Sequence, residues 1–137
     1  MWPTTSKRQR YAVRHGAATV ELAVLLPLLV FIVFGCIEVT SRLFLKQTAA
    51  VTAYEGVRLA ARRTIDAETV RNRCLRLLED RRVTGATIEI TPESTAEIPT
   101  GGLIQVRIII PYAGNTPMAA TFPGGSTMRV TASMLRE

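Results

Sequence analysis

The 137 residues carry a formal net charge of +6 and are 47% hydrophobic, and neither property is evenly distributed along the chain. Lys7, Arg8, Arg10 and Arg14 supply four of the six net positive charges, so only two remain for Ala17 to Glu137, where cations and acids alternate. Interleaved charge is typical of a solvated surface, and it argues against nucleic acid as a partner.

Residues 1–16 are predicted to be a basic leader. The stretch from Met1 to His15 has no apolar periodicity, so we interpret it as disordered or removable. Its cations directly precede an apolar run. A basic flank in this position holds the N-terminus of a membrane protein in the cytoplasm.

Residues 17–39 are predicted to be a transmembrane helix. The 21 residues from Ala17 to Ile37 contain one charge, Glu21, and as a helix they span about 31 Å, close to the thickness of a bilayer core. Pro27 predicts a kink, which is tolerated in a bilayer where neighbouring groups satisfy the freed carbonyl. Close approach of another helix is favoured by the small residues Ala17, Ala18, Ala23 and Gly35.

The helix is predicted to continue as an amphipathic segment over residues 40–63. Apolar residues at helical spacing lie on one face of this segment: Leu43, Ala50, Tyr54, Val57 and Ala61. Glu55 and Arg58 are three residues apart and are expected to pair on the other side. Three arginines are candidate contacts for an acidic partner, although such a group is more often a solvated face: Arg58, Arg62 and Arg63.

Residues 64–137 are predicted to form an α+β domain outside the membrane. Asp66 is the expected N-cap of a second helix from about Ala67 to Arg82, which Gly85 ends. Its apolar stripe is Val70, Cys74, Leu77 and Leu78. Alternation with a period of two then predicts three strands, at Ala86–Thr91, Leu103–Ile110 and Met128–Met134. The fold class is therefore α+β, with a small antiparallel sheet whose strand order stays open.

The cysteines and the remaining polar residues do not suggest an active site. Cys36 and Cys74 have no neighbouring ligand at metal-binding spacing, and Cys74 is expected to be a small buried residue. The single histidine, His15, lies in the leader. The adjacent carboxylates Glu79 and Asp80 would project apart on a helix. We expect no catalytic residue, metal, cofactor or small-molecule substrate.

The start of the apolar helix carries a more specific motif. Gly16-Ala17-Ala18-Thr19-Val20-Glu21-Leu22 resembles the prepilin cleavage signature, at which a membrane peptidase cuts after the glycine. The resemblance implies processing between Gly16 and Ala17, with Glu21 at position five of the mature chain. In pilin families this glutamate pairs with the N-terminal amine of a neighbouring subunit and sets the register. Leu22 occupies position six, where the family usually has an aromatic residue.

More narrowly, residues 16–63 resemble the TadE-like family of the tight-adherence (Flp-type) pilus machinery. The resemblance is carried by Gly16 to Pro27, by Gly35 and Glu38, and by the run from Ala53 to Arg62. It implies a minor pseudopilin-like subunit of the bacterial inner membrane, structural and not catalytic. Implied partners are other pilin-like and pseudopilin subunits, prepilin peptidase and membrane lipid. Glu38 is expected at the outer membrane boundary, with a contact between subunits as the alternative.

Two other interpretations remain open. Val33-Phe34-Gly35-Cys36 resembles a lipoprotein processing box, which would give a protein acylated at Cys36. An unprocessed bitopic envelope protein would instead place Glu21 at the headgroup boundary. A carboxylate at mid-depth in a bilayer costs about 2.5 kcal/mol or more, so an acid here favours a functional role.

Overall fold

The computed structural model describes residues 7–62, 65–93, 98–118 and 126–136, and for residues 7–15 it gives the helical backbone only. The elements in chain order are α1 (Lys7–Ala60), α2 (Ala67–Asp80), β1 (Thr87–Thr91), β2 (Leu103–Pro111) and β3 (Thr127–Leu135). The chain divides into two compact units, Met1–Ile37 and Glu38–Glu137. The predicted α+β class is confirmed, with a long first helix, a second helix and three antiparallel strands.

Helix α1 differs from its predicted bounds at both ends. It begins at Lys7 and not near Ala17, because the Lys, Arg, Gln and Ala residues of this stretch favour helix and no proline interrupts them. The expectation of disorder is therefore wrong for the backbone from Lys7 to His15. Removal of this segment as a leader stays a prediction. The helix ends at Ala60, before the predicted Arg63, which lies outside the described residues.

The buried face of α1 in the second unit differs from the apolar face identified in the sequence. Leu43 and Tyr54 are 55% and 56% exposed, and Ala50 is exposed as well, so most of that apolar face lies outside the core. Only Val57 and Ala61 of that set are buried. The observed face consists mostly of small side chains: Leu45, Thr48, Ala49, Thr52, Ala53, Gly56, Val57, Ala60 and Ala61. Small residues allow the other elements to approach the helix closely, whereas Leu43, Phe44 and Tyr54 face outward.

Helix α2 begins after the predicted N-cap, Asp66, and ends at Asp80, earlier than expected. Its last turn closes when the Arg82 N–H donates to the Glu79 carbonyl at 2.8 Å and the Val83 N–H donates to the Leu78 carbonyl at 2.9 Å. This pair of bonds is a Schellman motif, in which the contact between buried Val83 and Leu78 is usual. Gly85 was expected to end the helix, but it lies beyond this turn.

The sheet has the order β1-β2-β3, with both neighbouring pairs antiparallel. One face is polar. On it, Glu89 lies opposite Arg107, and the carboxylate and guanidinium are 3.1 Å apart. The other face of the sheet carries the apolar core residues of the strands: Ile88, Ile90, Ile104, Val106, Ile108, Ile110 and Met128. Helices α1 and α2 and Val83 in the turn after α2 supply the rest of the core.

Cys74 of α2 is completely buried in this core, as expected for a small residue of the apolar stripe. Its thiol donates a weak hydrogen bond to the Thr52 carbonyl of α1, with sulfur and oxygen 3.8 Å apart. Burial in an apolar environment raises the pKa of Cys74 to about 11, because the charged thiolate is disfavoured there. The rest of the α2 stripe is buried at Val70 and Leu78 and half-buried at Leu77.

Candidate functional site

The predicted processing site lies inside α1. Gly16 and Ala17 are exposed, and a Cβ atom added at Gly16 would have no neighbour within 4 Å. Since the helix begins at Lys7, the bond between these residues has helical backbone on both sides. Apart from proline, glycine is the residue least favourable to a helix. A peptidase that binds extended backbone would therefore open the helix most easily at Gly16.

Ala17 and Glu21 are four residues apart on this helix and so share one face. An amine created at Ala17 would lie one turn from the Glu21 carboxylate. Both side chains are exposed, as is Leu22, which is 63% exposed. The arrangement allows an ion pair within one chain or between two adjacent chains whose helices are staggered along their axes.

The helix that follows is apolar on every side. From Val20 to Val39 the large apolar side chains are between 39% and 74% exposed. Among the described residues, one helix, within Gly16–Ala60, has the length and composition to cross a membrane, and none of its apolar window is buried in the protein. A helix that is apolar all round needs an apolar environment. The observation fits a single-pass membrane protein.

The small residues and the proline of this segment remain available to other molecules. Ala23 and Gly35 are exposed, and a Cβ atom at Gly35 would meet nothing within 4 Å. Pro27 lies within the continuous helix. Because proline has no N–H, the carbonyl of Ala23 loses its usual helical donor. Packing of this segment against a neighbouring helix stays a prediction.

Glu38 makes contacts within its own chain, and sequence reasoning did not anticipate them. The Arg42 Nε atom donates to Oε1 at 2.8 Å, and the Met118 backbone N–H donates to Oε2 at 3.1 Å. The side chain of Glu38 is only 12% exposed. Arg42 also lies 4.9 Å from the centre of the Tyr112 ring. A contact between Glu38 and another subunit stays a prediction, and it would compete with these bonds.

The candidate arginine contacts lie far from Glu38 along α1. Arg58 pairs with Glu55 at 2.9 Å, as the spacing predicted. Twenty residues of helix correspond to about 30 Å, so Arg58 and Glu38 form no common site. Arg62 is exposed, and Arg63 lies outside the described residues. The predicted partner contacts therefore belong to two separate places, Glu38 within α1 and Arg58 and Arg62 around its C-terminal end.

Arg81 and Arg82 were missed as site residues. The sequence Glu79-Asp80-Arg81-Arg82 was interpreted as ordinary interleaved charge. In the structure, the two arginines line a groove of about 330 Å³ together with Thr40, Ser41 and Phe44 of α1. No local pattern could have revealed this placement, because it depends on how α2 packs back onto α1.

Comparison with known proteins gives one family. The family described as TadE-like protein matches residues 16–58, about a third of the chain, and this match confirms the resemblance drawn from the motif. The matched segment contains the processing motif, the apolar helix and the small-residue face of α1. No curated protein and no solved structure matches the chain.

Proposed function

We propose that this chain is a minor pseudopilin-like subunit. It serves the assembly of a tight-adherence (Flp-type) pilus or a related secretion system. The TadE-like segment at residues 16–58 supports a role associated with the Tad pilus. The role is structural. The observation that carries the proposal is the exposed apolar helix with a single carboxylate. From Ala17 to Ile37 the only charged residue is Glu21, which lies five residues after Gly16.

In the proposed mechanism, prepilin peptidase cuts between Gly16 and Ala17 at the cytoplasmic face of the inner membrane. The basic leader stays on that cytoplasmic face, and residues from Glu38 onward lie on the opposite side of the membrane. The new amine at Ala17 and the Glu21 carboxylate are then oppositely charged groups in an apolar environment. Pairing between subunits neutralises both and fixes the axial register of the helices.

The distal half of α1 supports packing against other pilin-like subunits. Leu43, Val51 and Tyr54 are each about half exposed beyond the predicted span. Exposed apolar side chains in a row mark an interaction surface more often than a solvated one. A neighbouring helix that packs along the span would cover them by continuing in the same direction.

The N-terminal mass of the protein extracted from its native membrane tests the proposal most directly. We expect a mature chain that begins at Ala17. A lipid-modified start at Cys36 would replace the proposal with an acylated lipoprotein. An intact Met1 would leave an unprocessed bitopic anchor and make Glu21 a boundary residue.

Replacement of Glu21 tests the proposed pairing. We expect Glu21→Ala to reduce recovery of pilin-like partners in co-purification from native membranes at least tenfold, because the amine of a neighbour would remain unpaired in lipid. Glu79→Ala removes an exposed acid of α2 and is the matched control, which should leave recovery unchanged. Equal recovery with both variants would contradict the pairing.

A further inference from the structure

The groove lined by Arg81 and Arg82 lies beside the first turns of α1 after the predicted span. Thr40, Ser41 and Phe44 form its wall on α1. Residues 40–44 directly follow the span, and at 1.5 Å per residue they reach about 7 Å along the helix. The headgroup layer adds about 5 to 7 Å to each side of the hydrocarbon core. Chain adjacency therefore places the groove among lipid headgroups.

The groove combines cationic and apolar groups. Arg81 and Arg82 are both exposed, and no acidic side chain is among the residues that line it. In the part of the chain that the structure describes, neither arginine forms an ion pair. Phe44 is 54% exposed at the same place. A phosphate group beside an acyl chain complements this combination of charge and apolar surface.

The backbone at Arg82 is held in a conformation that usually belongs to glycine. Its φ of 59° is left-handed, at the position of the Schellman motif where glycine is most common. Asn115, another groove residue, fixes the segment just after it, since its side chain donates to the Thr84 carbonyl and accepts from the Thr84 N–H, both at 2.9 Å. An arginine at a backbone position that favours glycine points to a role for its side chain.

We propose that this groove binds the phosphate group of an anionic phospholipid from the membrane in which α1 is anchored. Arg81 and Arg82 contact the phosphate, and Phe44 lies along the apolar part of the same lipid. The domain is thereby fixed against the membrane surface close to the end of the span. This inference rests on the membrane insertion of α1 in the proposed function.

The test uses the full chain in nanodiscs that contain phosphatidylcholine and a smaller share of phosphatidylglycerol, an anionic lipid. Native mass spectrometry after release counts the lipids of each kind that stay bound. One informative variant is Arg82→Gly, since the turn at this position accepts glycine. The other is the double variant that combines Arg81→Gln with Arg82→Gly. The double variant Arg73→Gln with Arg76→Gln is the matched control, since both residues are exposed cations of α2 that do not line the groove.

We expect the unmodified chain to retain phosphatidylglycerol in preference to phosphatidylcholine. Each cation near an anionic surface contributes about fivefold, so Arg82→Gly should weaken the preference about fivefold and the double groove variant tenfold or more. The control should keep it, and added inorganic phosphate should not displace the lipid. The groove would be overturned as a lipid site if both double variants lost the phosphatidylglycerol preference equally or if neither lost it. Displacement of the lipid by inorganic phosphate would overturn it as well.

Failure of the membrane anchor gives a different result. A chain that does not enter nanodiscs at all would overturn the proposed function together with this inference. A chain that enters nanodiscs but shows no lipid preference overturns the inference alone. The unfolding temperature of Arg82→Gly shows whether the fold is intact, and we expect it to be equal to that of the unmodified chain or higher.

Discussion

Gly56 is the residue at which α1 comes closest to the elements packed on it. A Cβ atom there would lie 2.6 Å from the sulfur of Cys74 and 3.2 Å from Cγ1 of Val106. The first distance is shorter than real Cβ contacts and the second is tighter than most. Glycine is therefore required at this position because a side chain would not fit. Helix propensity alone predicts only a mild penalty for glycine there.

We expect Gly56→Ala to lower the free energy of unfolding by about 2 kcal/mol, the usual size of an overpacking effect. Because Cys74 is the nearer obstacle, Cys74→Ala should rescue part of that loss, although alone it opens a small cavity. Thermal or urea unfolding of the two single variants and the double variant measures the coupling. Strictly additive effects would contradict the contact between these positions.

Cys74 should also report its burial through its reactivity. The unfolded thiol has an ordinary pKa of 9.0, and burial raises the pKa of the folded one to about 11. The reactive thiolate is therefore rare in the folded protein at pH 8. We expect a maleimide to label Cys74 in the Cys36→Ser variant only when denaturant is present, as followed by intact mass. Labelling at equal rates without denaturant would show that the site is open.

The raised pKa of Cys74 also makes the stability of the fold depend on pH. Below pH 9 the thiol is protonated in both states, so it adds no pH dependence. Between pH 9 and about 11 the unfolded chain loses this proton more readily than the folded protein does. Alkaline solution in this interval therefore favours unfolding, and Cys74→Ala should remove this part of the dependence.

At the scale of elements, Asn115 joins the turn after α2 to the turn after β2. Besides its two bonds to Thr84, it donates to the Pro111 carbonyl at 2.8 Å. We expect Asn115→Ala to destabilise the domain by about 2 kcal/mol, because three hydrogen bonds to backbone groups are lost. Asn115→Asp keeps the acceptor but turns a carboxylate oxygen toward the Thr84 and Pro111 carbonyl oxygens, so its melting temperature should fall at least as far as that of Asn115→Ala. A wild-type melting temperature for Asn115→Ala would contradict this role.

The strands and the class of each element were predictable because their signals are local. Alternation with a period of two identifies β2 and β3 directly, and the Asp66 N-cap marks the start of α2. The buried face of α1 was not predictable in the same way. Helical spacing of apolar residues groups Leu43 with Tyr54, whereas close packing at Gly56 favours a buried face made mostly of small side chains.

The candidate site was predictable to a similar extent. Gly16, Glu21 and the apolar helix follow from a motif that is contiguous in the chain. The bond from the Met118 N–H to Glu38 joins residues 80 positions apart, and Thr40 and Arg82 of the groove are 42 positions apart. Neither the left-handed conformation of Arg82 nor its approach to Thr40 leaves a trace in the neighbouring sequence.

At the scale of the whole molecule, the second unit contains a complete core of its own. Helix α1 after Glu38, α2, the sheet and Val83 in the turn after α2 supply all the residues of the buried cluster. We expect residues 38–137 to fold without the apolar helix, as shown by one cooperative thermal transition in circular dichroism. Strong binding of a hydrophobic dye together with a non-cooperative transition would contradict this expectation.

The packing of Gly56 against Val106 has a consequence for biogenesis. These residues are fifty positions apart, and the core also needs Met128 from the final strand. Contacts so distant in sequence form late in folding. As the chain is synthesised, the small-residue face of α1 and the isoleucines of β2 are made before their last partner. A chain that stops before β3 would therefore display aggregation-prone strands with an unpaired edge.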